Sequence, residues 1–415
     1  MTKLSPIIFL ITACWFAGCG KQNTSADSEF KTVSLQSEIT AVQPMTGLVF
    51  WESLDHKDTD AIQLEFSYLR YSDVVKVKGQ YDWSIVEEKL AGIASRKHQA
   101  VLRFWDTYPG RESGVPDYIK ALPDYKNVVE KSENRDTEFP DWSHPEYQRF
   151  ILEFFETLAQ KYDNDPRLAF LEVGFGLWSE YHIYDPGEKM GENFPSKAFQ
   201  SQYFRHLDTL FHNTPWMISQ DAHVANRTPF ASDAPLLDLQ FGIFDDSFHL
   251  AWEPGYNLGG WEFFGLERFK RSPMGGEILF PDKGRSDFVD AGWAEHTRQF
   301  GITFMITEQW LRWISMDRVK ENSMACGYRF RVTTFEANDT QSLVTVENTG
   351  AAPIYYDAFV AVNGVRSTES LKHLSPGKSR EFTINSGGKK PMLSIECDRL
   401  VHGQKIEFEA NIGTN

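Results

Sequence analysis

The chain has 415 residues, a formal net charge of -16 and 14% aromatic residues, among them 12 Trp. An acidic surface of this kind excludes electrostatic binding to nucleic acid or to anionic lipid. The length suffices for one large domain and a smaller one, and the aromatic content suits a large core or stacking on sugar rings.

The N-terminus carries Lys3, an apolar run over residues 7–16, and Ala17-Gly18 before Cys19. The run is too short to span a bilayer. It resembles a bacterial lipoprotein signal peptide covering residues 1–18. Cleavage would leave Cys19 lipidated and the protein anchored to a membrane of the cell envelope. Gly20 in place of Asp points to the outer membrane. Residues 19–43 are polar, rich in Ser, Thr and Gln, and read as a flexible tether.

From there to residue 322, apolar runs alternate with amphipathic stretches. The expected strands are 47–51, 62–69, 100–105, 168–174, 216–220, 236–243, 274–279 and 302–307. Between them, residues 83–95 place Ile85, Val86, Leu90 and Ile93 on one helical face, with Asp82 as the cap. Residues 147–162 do the same with Phe150, Ile151, Phe154, Phe155 and Leu158, after a helix start at Ser143-His144-Pro145-Glu146. Continuous apolar strands alternating with helices predict a parallel sheet, and eight such units predict a (β/α)8 barrel over residues 44–322. A doubly wound sheet is the runner-up, but no glycine-rich dinucleotide loop follows an early strand. No cofactor is expected.

Residues 323–415 change texture. Short strand candidates at 328–333, 342–347, 354–362, 380–384 and 392–397 are separated by turns such as Asn363-Gly364 and Ser375-Pro376-Gly377. This reads as a small β-sandwich. Cys326 and Cys397 offer one disulfide or two buried thiols.

Chemistry concentrates where expected strands end. The fourth runs on through Phe175-Gly176-Leu177-Trp178-Ser179-Glu180-Tyr181-His182. A carboxyl backed by Trp178 and Tyr181 would keep its proton near neutral pH and serve as a general acid, and the same two aromatic side chains would help shape the sugar site. The seventh carries Glu277 after Gly275-Gly276, whose lack of side chains would let backbone approach a ligand closely. Glu277 suits a nucleophile, with Glu308 at the end of the eighth strand as its rival. Trp310 is a sugar platform or a barrel-closing core residue. Asp245-Asp246 and His249 follow the sixth strand. Asp246 and His249 would bind sugar hydroxyls or orient Glu277, although an acid pair here also reads as a helix cap. Arg70 and Arg103, ending the second and third strands, would hold the nucleophile ionised or bind an acidic sugar; the alternative is salt bridging inside the barrel mouth. His182, His223 and His249 sit at three strand ends, but no ligand spacing among them supports a metal site.

Tyr68 to Asp73, followed by Gly79-Gln80-Tyr81-Asp82-Trp83-Ser84 and by Arg103, resembles barrel glycoside hydrolases related to β-galactosidases and agarases. The resemblance covers roughly residues 46–312. It implies an acid/base after strand four and a nucleophile after strand seven, which fall on Glu180 and Glu277. It therefore implies a carbohydrate substrate and a retaining mechanism. In that clan an Asn precedes the acid/base; here Ser179 does. The Trp-Ser-Glu-Tyr-His and Gly-Gly-Glu segments, with Gly327-Tyr328-Arg329-Phe330 behind, are closer to an uncharacterised bacterial barrel-plus-sandwich lipoprotein family. The alternative that the sequence leaves open is a surface glycan-binding lipoprotein whose barrel is catalytically inactive.

Overall fold

The structure, a computed structural model, describes residues 29–248, 257–278 and 292–413, with the backbone alone for Glu308 and Gln309. Residues 1–28, with Cys19, and His249 lie outside the described residues. Among the described residues, no helix is long and apolar enough to cross a membrane.

Eight parallel strands close a barrel in chain order. They are Gly47–Trp51, Leu64–Arg70, Gln99–Trp105 and Leu168–Val173, then Trp216–Ser219, Gly242–Phe248, Met274–Ile278 and Phe304–Ile306. Side chains alternate along each strand. Val49, Phe66, Val101, Phe170, Met217, Phe244 and Phe304 point inward and pack together; Phe170 and Phe304 stack across the barrel at 4.8 Å. Their neighbours Leu48, Leu102, Phe104, Leu171, Ile218 and Ile243 face the helices. The two apolar clusters thus record the parity of the strands, and that parity decides which acids can enter the barrel.

The expected helices form over Ser84–Ser95 and Pro145–Tyr162. Asp82 accepts from the Ser84 amide at 3.0 Å, and the His144 side chain caps the second helix by accepting from Glu146. Its buried face, Phe150, Ile151, Phe154, Phe155 and Leu158, packs beneath the third and fourth strands.

One barrel strand is displaced. Residues 236–243 were expected to form the sixth, but Ala234–Asp238 is a 3-10 turn with Pro235 in its first positions, and Leu236 plugs the core from it. The strand is Gly242–Phe248. Asp245 and Asp246 therefore lie inside a strand and are not a helix cap. Asp245 points outward, where Trp261 Nε1 and Asn257 Nδ2 donate to it at 2.7 and 2.6 Å.

The C-terminal region forms a six-stranded and a three-stranded sheet. Phe330–Ala337, Ser342–Asn348 and Ser379–Ile384 pair antiparallel, and Ala358–Val362 pairs with Leu393–Cys397. Phe408–Ile412, which the sequence did not flag, runs parallel to Phe330–Ala337. The expected tether is corrected as well. Lys31–Thr32 pairs with Phe330–Ala337, and Leu35–Ser37 with Phe408–Ile412, so residues from 31 onward belong to the sheet. Cys326 and Cys397 are separate buried thiols.

The sheets cover the N-terminal floor of the barrel. Tyr356 reaches Phe170 at 6.2 Å and donates to the Ala169 carbonyl. Arg399, 7% exposed, donates to the carbonyls of Asp163 and Leu168 and to Thr214. One apolar cluster runs from the barrel interior into both sheets.

Candidate active site

The inward parity of four strands brings their chemistry to the open, C-terminal end of the barrel. Arg103 follows Val101 inward on the third strand, Glu172 follows Phe170 on the fourth, and the two are register partners. Asp246 follows Phe244 on the sixth. Glu277 follows Gly275, whose added Cβ would strike the inward Phe304 ring at 2.8 Å. Glu277 therefore shares the interior side and is half-buried.

Arg103 is the hub. It is 1% exposed, with its guanidinium carbon 4.3 Å from the Phe244 ring centre and 5.2 Å from those of Phe66 and Tyr68. Its Nε and Nη2 donate to Glu172 Oε2 at 2.9 and 2.6 Å. Its Nη1 donates to Tyr68 Oη at 2.7 Å, and also to Glu180 Oε1. The Tyr68 hydroxyl in turn donates to Glu180 Oε1 at 3.3 Å.

Glu180 arrives from a loop, not a strand. Trp178, Ser179 and Tyr181 all adopt positive φ, between 55° and 66°. Such conformations cost energy in any residue with a Cβ and persist only when the surroundings impose them. Here they do. Trp178 N donates to the Thr107 carbonyl at 3.0 Å, Tyr181 N to Phe175 at 2.8 Å, and Ser179 Oγ to the Phe104 carbonyl at 2.8 Å. The Ser179 carbonyl presses on Gly174, where any Cβ would lie 1.8 Å from it. The Ser179 side chain is buried and spent on the Phe104 carbonyl.

Electrostatics follow from this crowding. Burial pushes the Glu180 carboxyl well above the usual carboxylate range; Arg103 pulls it down, while the charges of Asp246 and Glu277 push it further up. Asp246 is raised by burial and by Asp221, and lowered by His182 and by a hydrogen bond with Glu180. Glu172 is raised by burial against the pull of Arg103. One guanidinium faces three carboxyls here, and burial with mutual repulsion favours their neutral forms against its pull.

His182, read from sequence as a structural group or metal ligand, sits at the same place. Its Nδ1 is 3.0 Å from Asp221 Oδ2, and its ring stacks on Tyr184 at 4.4 Å. His182, Glu180 and Asp246 each present one donor atom within 4.8 Å of the others, a group among the described residues that could hold a metal. His223 Nδ1 is held by the Gln220 carbonyl at 2.9 Å.

Other expected site residues are elsewhere. Tyr181 and Trp310 are wholly buried in the core, Trp310 edge-on to Trp293 at 5.1 Å, so neither offers a sugar platform. Arg70 is held at the rim by Asp73 and Glu112 at 2.8 and 3.1 Å. Gly275 and Gly276 admit no ligand. They make room for Phe304 and for the Asp245 carbonyl, which a Cβ on Gly276 would approach to 1.9 Å. The side chain of Glu308, like His249, lies outside the described residues. Trp178 is partly exposed and edge-on to Tyr108 at 5.9 Å. A cleft of about 390 Å3, lined by Trp51, Ser67, Tyr68, Tyr108 and Arg111, opens beside the cluster.

No family model matches the chain, and no curated protein matches it. Among solved structures it is similar to a GH36 α-galactosidase of Geobacillus stearothermophilus (11% identity, TM-score 0.41, 82% of this chain and 55% of that one). It is also similar to a GH5_18 protein of Bifidobacterium longum (11%, 0.42, 69% and 79%). A third is an α-galactosidase of Thermus thermophilus (13%, 0.39, 72% and 64%). The chain spans about half the length of the first of these.

Proposed function

We propose that the protein is a glycoside hydrolase that cleaves a poly- or oligosaccharide with retention of configuration. Glu180 is the general acid/base and Glu277 the nucleophile. The observation that supports this reading is that Glu180 and Glu277 both stand at the barrel end, close enough for the Glu277 charge to raise the Glu180 carboxyl. The reaction needs one carboxyl that holds a proton and one that gives its electron pair to the anomeric carbon. Glu180 is buried and its carboxyl is pushed up, which suits the proton donor; Glu277 is half-buried, which suits a carboxylate that must reach the anomeric carbon. Asp246 cannot be the nucleophile while it is hydrogen-bonded to Glu180, because a sugar ring must fit between acid and nucleophile. Trp178 and the cleft at Tyr68 and Tyr108 supply ring-stacking surface. Removal of the Glu277 carboxylate tests the roles. Glu277→Gly is expected to abolish turnover, and azide to restore it as a glycosyl azide of inverted configuration. Near-normal hydrolysis by Glu277→Gly, with loss in Glu308→Gly, would move the nucleophile to strand eight.

A second reading, a glycan-binding protein without catalysis, is favoured by one observation: Arg103 and Tyr68 both engage Glu180 Oε1, as in a structural salt bridge. For localisation we propose an outer-membrane lipoprotein of the barrel-plus-sandwich family noted above, anchored at Cys19. Cys19→Ala should release the protein from the membrane fraction.

A further inference from the structure

Glu180, His182 and Asp246 gather three donor atoms within 4.8 Å of one another. Two carboxylate oxygens and an imidazole nitrogen form a ligand set for a borderline transition ion. A cluster of acids would say little alone; the second observation is the histidine. His182 is 2% exposed. Its Nδ1 is taken by Asp221, and its Nε2 is buried with no partner among the described residues. Buried polar nitrogens almost always have a partner. With Nδ1–H donating to Asp221, the lone pair sits on Nε2, which is how a metal-binding histidine is held by a carboxylate behind it. Tyr184 stacks on the ring and fixes its plane. The bonds from Arg103 and Tyr68 both end on Glu180 Oε1, and an ion would take the place of the hydrogen bond between Glu180 and Asp246. Around this point Glu172, Asp221 and Glu277 add negative charge, and Arg103 is the cation among them.

We propose that Glu180, His182 and Asp246 bind a divalent transition ion of the zinc type, with Asp221 as the residue that orients the imidazole. Ca2+ and Mg2+ fit poorly, because they take six or more oxygen ligands or hold their own waters. The binding stands apart from the glycosidase reading. Where that reading also holds, the ion and the catalytic proton compete for Glu180, and the ion inhibits.

The experiment is a Zn2+ titration of the chelator-treated full chain by calorimetry, with Co2+ as a spectroscopic probe. One equivalent is expected to bind, and excess Mg2+ should not displace it. Asp221→Asn should weaken binding by about 10–100-fold, the usual effect of removing a carboxylate behind a ligating histidine. His182→Ala should abolish it. Co2+ absorption bands should appear in the wild type and vanish in Asp246→Asn, which keeps the reading independent of how well the histidine variant folds. No bound equivalent, or an affinity unchanged in His182→Ala and Asp246→Asn, would overturn the proposal. Neither readout uses activity, so a chain that binds Zn2+ but hydrolyses nothing refutes the glycosidase and keeps the ion site.

Discussion

Arg103 carries the balance of charge at the barrel end. Removing one partner of a buried ion pair leaves the other uncompensated, at a cost of roughly 3–5 kcal/mol. Arg103→Met should therefore lower the denaturation midpoint by that equivalent. Arg103→Lys should recover only part, since an ammonium cannot reproduce the fork that spans Glu172 and Glu180. A variant of wild-type stability would mean that Glu172 and Glu180 are both neutral without it. A second buried acid gives a pH signature. Burial raises Asp106 from 3.8 to about 6, against the donations of Tyr147 and Thr107. The native state then holds this proton more tightly than the unfolded chain, so its contribution is complete below the unfolded pKa and is lost as pH rises through the folded one. Relative to wild type, Asp106→Asn should gain roughly 2–3 kcal/mol between about pH 4 and 7. A difference that does not change with pH would contradict the assignment. That Glu180, Glu277 and Arg103 stand at the barrel end was legible in the sequence, because Arg103 and Glu277 lie within apolar runs and Glu180 in the segment that follows one. Glu172 was not, although an acid inside Leu-Ala-Phe-Leu-Glu-Val was the available signal. The Tyr68 hydroxyl and the Asp221–His182 pair depend on contacts between strands that no single stretch of sequence encodes.

The loop after the fourth strand shows how an element sets its residues. Three positive-φ residues in a row of four present the Glu180 carboxyl, and the Ser179 carbonyl packs on the bare Gly174 Cα. Gly174→Ala would place a methyl 1.8 Å from that oxygen, so the loop must open. Hydrolysis should fall by at least about 100-fold, the usual scale of losing a positioned general acid, while far-UV dichroism stays close to wild type. Retained activity would show that the loop's tight form is not the working one. The sixth strand marks where legibility failed. Its true span carries Asp245 and Asp246, which read as loop, while the apolar residues of a proline-led 3-10 turn read as strand. Strand parity was recoverable elsewhere because apolar runs buried on both faces admit little else.

At the scale of the molecule, barrel and sheets form one body. Arg399 satisfies the carbonyls of Asp163 and Leu168 beneath the barrel, and Tyr356 closes on Phe170. Arg399→Ala removes the guanidinium from the buried Leu168 carbonyl and leaves Thr214 as the side-chain donor to Asp163, at a cost of about 1–3 kcal/mol for an unsatisfied buried oxygen. Both regions should then lose stability together in a single transition; separate transitions would mean the two fold independently. Deleting residues 29–43 should destabilise the same unit, because Lys31–Thr32 and Leu35–Ser37 edge its larger sheet. The two-part architecture was legible from the change in texture near residue 322. These two short strands were not, since their polar composition matches a tether and only pairing orders them. The central claim is that the barrel end hydrolyses glycosidic bonds through Glu180 and Glu277. Reducing-end release from a panel of poly- and oligosaccharides, measured for wild type, Glu180→Gln and Glu277→Gly, tests it most directly. The account predicts release from at least one glycan by the wild type and a loss of at least about 100-fold in both variants; no release from any glycan, or equal release by all three proteins, would contradict it.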